Sequence, residues 1–80
     1  MARMKQPETE EQKAAAKEGL ELALSKFTSK NDMARVIGVT RNTVSWWFTK
    51  GYVSGNSVER VAAATGLTID QIRPDLNMAA

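Results

Sequence analysis

Arg41, Asn42, Ser45 and Thr49 are hydrogen-bonding side chains spaced to fall on one side of a helix, and Trp46 stands among them. Side chains of these types can read the edges of DNA base pairs. Arg41 can place two donors on guanine O6 and N7, with a phosphate as its close rival, and Asn42 can pair with adenine or bond a phosphate near the helix start. Ser45 and Thr49 are short and tolerate many partners. Trp46 can stack on a thymine methyl or a sugar, or lie flat over a neighbouring loop. Its neighbour Trp47 belongs to the core. Lys30, Asn31 and Lys50 flank this face and suit phosphate contacts, although a lysine beside such a face can equally be just solvated. Thr40 and Thr43 suit backbone contacts.

Charge points the same way. Residues 24–53 hold Lys26, Lys30, Arg35, Arg41 and Lys50 against Asp32 alone, whereas the flanking thirds are each net −1. A basic segment centred on candidate base readers is the footprint expected for a phosphate backbone. The 80 residues contain no histidine and no cysteine, the carboxylates are scattered, and no nucleophile has a base beside it. An enzyme, a metal site and a cofactor are therefore not expected. No apolar run reaches membrane-spanning length, and Arg3 and Lys5 have no apolar stretch behind them to make a signal peptide. The expectation is a cytoplasmic protein with no membrane partner.

Helices must position these residues. Ser29 can cap a helix whose Asp32 answers in return. Met33, Val36 and Ile37 are expected to face inward, with small Ala34 where two helices approach. Gly38 supplies a left-handed turn, Val39 plugs the turn into the core, and Thr40 caps the next helix. There Val44, Trp47 and Phe48 share the inward face, opposite the candidate readers. Helix, glycine turn, helix is the layout of a helix-turn-helix. Upstream, a helix is expected from about residue 8 to Phe27, with Pro7 in its first turn, a Thr9/Gln12 capping box, and Leu20, Ala23, Leu24 and Phe27 on one stripe. Its first half is alanine- and lysine-rich with little to bury, and Gly19 is where the compact part begins. Downstream, a helix over about 56–65 buries Val58, Val61, Ala62 and Ala64. Gly66 stops it, and Thr68 and Gln71 cap a one-turn helix that ends before Pro74. The fold class is all-α, a compact bundle of about five helices. Its expected organisation is a disordered 1–7, a domain over 8–76 in which 8–18 is a helical extension, and a tail at 77–80.

The stretch MARVIGVTRNTVSWW from Met33 to Trp47 resembles the YdaS/Cro-like family of small prophage DNA-binding proteins, together with Lys50-Gly51, Ala64-Thr65-Gly66 and Ile72-Arg73-Pro74-Asp75-Leu76. The resemblance covers roughly residues 20–76, and the closing Arg-Pro-Asp-Leu is its more specific part. The central motif alone fits many Cro/cI-like repressors. The resemblance implies a lambda-repressor-like fold, repression of phage or prophage promoters, and in some members an antitoxin role. Three departures stand out. Lys30 replaces a common glutamine, Ser54-Gly55 replaces a common proline, and Trp46 occupies an outer position where a polar reader is usual.

Two functions follow as expectations. One is a sequence-specific repressor of Cro type that binds double-stranded DNA and occludes a promoter. The alternative is an antitoxin that binds a partner protein through the N-terminal extension and autoregulates its operon. One recognition helix offers few base contacts, so a homodimer on a palindromic operator is expected. Leu67, Ile69, Ile72 and Leu76 are the preferred pairing surface, and the extension with Leu22 is the second choice.

Overall fold

The computed structural model describes residues 6–77. Five helices follow one another: α1 (Glu10–Leu24), α2 (Lys30–Ile37), α3 (Arg41–Lys50), α4 (Val58–Thr65) and α5 (Ile69–Ile72). A 3₁₀ turn over Gly55–Ser57 leads into α4, and a second, Pro74–Asn77, follows α5. No strand occurs among the described residues, so the all-helical class stands. Residues 1–5 of the stretch expected to be disordered, and 78–80 of the expected tail, fall outside the described residues.

Local chemistry sets the helix ends. The Thr9 hydroxyl accepts the Gln12 N–H, and Gln12 Oε1 takes the N–H groups of both Glu8 and Thr9 at 2.8 and 3.1 Å. Pro7 therefore lies before the cap rather than in the first turn. At the other end α1 stops at Leu24, and the chain reaches Phe27 through the tighter bonds Lys26 N–H to Ala23 O and Phe27 N–H to Leu24 O. Thr68 and Gln71 form the second reciprocal box.

The core gathers Leu20 and Ala23 from α1, Met33, Ala34 and Ile37 from α2, and Val44 and Trp47 from α3. Val53, Val58, Val61 and Ile72 complete it. Val36, expected inside, is 49 % exposed. At about 100° per residue the buried arc of α2 runs from Met33 through Ile37 to Ala34, and Val36 lies about 60° outside it. The first half of α1 buries more than expected. Gln12 and Ala16 are both buried, so this stretch packs as part of the domain.

Gly19 does more than mark a boundary. A Cβ built there would stand 1.9 Å from the Ile72 carbonyl oxygen and 2.8 Å from that of Gln71. Helix α1 rests directly on the backbone of α5, and only a hydrogen at Cα permits it. The apolar residues of the C-terminal stretch are used in this packing. Ile72 is fully buried, and Leu67 and Ile69 are packed against the core. Leu76, the fourth residue read as a pairing surface, is half-buried and outside that cluster.

Arg73 is the least expected core member. Its side chain has no exposed surface, yet it is fully satisfied. Nε reaches Asp75 Oδ1 at 2.8 Å and NH2 reaches Oδ2 at 2.6 Å, a two-pronged ion pair. NH1 donates to the Val53 carbonyl at 2.7 Å, twenty residues back in the chain. The guanidinium also lies over Tyr52, 4.9 Å from the ring centroid. One arginine thereby ties the C-terminal 3₁₀ turn to the loop that leaves α3.

Candidate nucleic-acid interface

Helix α2 and the turn after it hold α3 in place. Ser29 Oγ accepts the Asp32 N–H at 3.1 Å. The Asp32 carboxylate answers to Thr28 N–H, one residue earlier than expected, and also meets Arg35. The Thr28 N–H, aided by Arg35, holds the Asp32 carboxyl below the usual carboxylate range. The one acid of the basic segment is therefore paired within α2. Gly38 then adopts φ +88°, a left-handed conformation at which a side chain would be strained. Its N–H and that of Val39 both return to the Ala34 carbonyl, closing the turn.

Thr40 opens α3 by accepting the Thr43 N–H at 3.1 Å. Val44 and Trp47 are fully buried and Phe48 packs against the core, which sets the rotation of the helix. Taking Val44 as origin, at about 100° per residue the outer arc runs from Arg41 at its shoulder, about 60° from Val44, through Ser45, Thr49, Asn42 and Trp46 to Lys50. Arg41, Asn42, Ser45, Trp46 and Thr49 are all exposed and Lys50 is half-buried. The five candidate base readers thus share one outward face.

That face is unusual in its charge. Helices α1, α2, α4 and α5 each carry a carboxylate in the first turn, as the helix dipole favours. Helix α3 has none and begins with Arg41 instead. A cation at the positive end of a helix is unfavourable by roughly 0.3–1 kcal/mol in isolation, and an anion placed there reverses the sign.

The flanking candidates are braced rather than loose. Lys30 Nζ sits over the Phe48 ring, 4.4 Å from its centroid, which fixes the start of α2 against α3. Lys50 Nζ lies 4.7 Å from the Tyr52 centroid and 5.8 Å from that of Trp46. It also reaches Ser54 Oγ at 3.4 Å, the same oxygen that accepts Trp47 Nε1–H at 3.1 Å. Asn31 is exposed beside Lys30. The Thr40 and Thr43 hydroxyls bond each other at 2.9 Å, so one hydroxyl hydrogen of the pair stays available to a phosphate. Thr49 Oγ1 donates to the Ser45 carbonyl at 3.1 Å and presents only its lone pairs outward.

Sequence reasoning missed three supporting residues. Ser54, read only as a missing proline, holds the Trp47 indole and Lys50 together. The Tyr52 ring meets both the Lys50 ammonium and the Arg73 guanidinium. Arg73 had been noted as part of a motif without a role. An arginine and an aspartate two apart across a proline were visible in the sequence, but their common partner, the Val53 carbonyl, was not. Among the described residues no group of histidines, cysteines or acids could hold a metal ion, and no helix is long and apolar enough to cross a membrane.

A capped helix, a left-handed glycine turn and a second capped helix with a polar, cationic outer face, all within a five-helix bundle, define a helix-turn-helix protein. Residues 22–73 match the bacteriophage CI repressor helix-turn-helix domain, and the chain belongs to that family. The match supports a DNA-binding repressor role in general terms and agrees with the Cro/cI-like resemblance of the sequence. Comparisons with curated proteins and with solved structures gave no match.

Proposed function

We propose that this chain is a sequence-specific repressor of Cro type, phage or prophage encoded, acting in the cytoplasm. It lays α3 in the major groove of its operator and occludes a promoter. The observation that carries this reading is the outward face of α3, where five exposed side chains present donors, acceptors and one indole with no carboxylate among them. Arg41, Asn42, Ser45, Trp46 and Thr49 face the base edges. Lys30, Asn31, Thr40, Thr43 and Lys50 hold the flanking phosphates, which set register but carry no sequence information.

Two copies on a palindromic site, with half-sites about 34 Å apart, would double the base contacts. With Ile72 buried and Leu67 and Ile69 partly buried against the core, the C-terminal stretch keeps half-buried Leu76 and parts of the other two for that pairing. The exposed side of α1 with Leu22, 38 % exposed, is the better candidate. The antitoxin reading relies on the first half of α1 as a partner surface. Burial of Gln12 and Ala16 leaves that stretch alanine and charge on its outer side, which favours the repressor.

A gel-shift titration on the DNA upstream of the gene, repeated across salt concentrations, tests the proposal. Lys30 and Lys50, the two cations among the phosphate neighbours, give a log–log slope of about −1.8 per protomer, at about −0.9 per neutralised phosphate. No shift, or a slope near zero, would sink it.

A further inference from the structure

Trp46 lies in a row with Asn42 and Lys50, one helical turn apart each way on the outer face of α3. It is 57 % exposed, among the most exposed large apolar residues described. The Lys50 ammonium stands over one face of the indole, and Lys50 is itself held by Tyr52 and Ser54. The indole is therefore flanked by a held cation while more than half of its residue surface stays open to solvent. A lone exposed apolar side chain on a surface needs no explanation. This one stands in the middle of a cationic, hydrogen-bonding row, where any DNA partner would enclose it. The major groove offers that row donors, acceptors and a single kind of apolar group, the C5-methyl of thymine.

We propose that Trp46 reads a thymine methyl in the major groove, with Lys50 fixing both the indole and the adjacent phosphate. The proposal rests on the DNA-binding function above and specifies what this face selects. Asn42 and Trp46 are separated by about 6 Å along the helix, and base pairs by about 3.4 Å, so the thymine lies within about two base pairs of the base that Asn42 meets.

The test uses a duplex selected by the wild-type protein from a randomised pool, with each dT replaced in turn by dU. Loss of one buried methyl corresponds to about fourfold weaker binding. One position per half-site should show that loss with the wild type and with Trp46→Phe, which keeps an apolar ring but has no N–H. The same position should be indifferent in Trp46→Ala, whose melting temperature should match the wild type because the side chain is exposed. Indifference of the wild type to every dU overturns the proposal while leaving DNA binding intact. A dU effect that persists in Trp46→Ala assigns the methyl to another residue and also overturns it. Failure of the wild type to select any duplex would remove the repressor function and this inference together.

Discussion

Asp75→Ala tests the buried ion pair that closes the C-terminal end of the domain. The Arg73 side chain is fully buried and that of Asp75 is 2 % exposed, so deleting the carboxylate strips two charge-assisted hydrogen bonds from an enclosed guanidinium. Breaking a buried pair from one side costs about 3–5 kcal/mol. The whole domain is worth only about 4–12 kcal/mol at typical stability per residue. At about 4–8 °C per kcal/mol the melting temperature should fall by about 12–40 °C. Urea and thermal unfolding followed by the fluorescence of buried Trp47 would measure it. The double variant Arg73→Met/Asp75→Leu removes both charges at similar volume and should recover at least about 2 kcal/mol of the loss, since the desolvation cost goes with the pair. The recovery should stay incomplete, because the Val53 carbonyl loses its donor. A loss below about 1 kcal/mol in Asp75→Ala, or a double variant no better than the single one, would refute the claim that this pair is an enclosed structural element.

Gly19→Ala should destabilise the domain despite a gain of about 1 kcal/mol in helix propensity, because the new methyl meets the backbone of α5 at 1.9 Å. Overpacking costs of about 1–3 kcal/mol or more should dominate, and a raised melting temperature would show that α1 does not rest on α5. Trp47→Ala should cost about 3–5 kcal/mol and disturb Ser54, whereas Trp46→Ala should leave stability within about 0.5 kcal/mol. Equal losses in the two variants would mean the rotation of α3 is wrong.

What was legible in the sequence was local. Ser29, Gly38, Thr40 and Thr68 mark helix ends because capping and left-handed turns depend on residues within four positions of one another. The rotation of α3 was legible because Val44, Trp47 and Phe48 are large and its outer face carries little that would seek the core. Where an apolar residue sits at the edge of the stripe, as Val36 does, the period alone misplaced it. The stop of α1 at Leu24 was overrun because Phe27 continues the stripe while the backbone has already tightened. The remaining surprises depend on residues far apart in the chain. Gly19 looks like a helix weak point until α5 arrives against it, and Arg73 looks like a surface charge until the Val53 carbonyl and Asp75 enclose it. The exposure of the candidate readers followed from the helical phase alone. Their bracing by Ser54, Tyr52 and Phe48 required the folded chain.

The central claim is that the outward face of α3 reads DNA sequence. Fluorescence anisotropy at one fixed salt concentration tests it most directly, comparing wild type, Arg41→Ala and Asn42→Ala on a selected duplex and on a scrambled one. Both side chains are exposed, so melting should be unchanged. Losing a bidentate base contact costs about 1–3 kcal/mol, so each variant should bind the selected duplex about five- to 150-fold more weakly, with a smaller change on the scrambled one. Wild-type affinity and wild-type discrimination retained in both variants would contradict the account, because α3 would then not be the helix that reads.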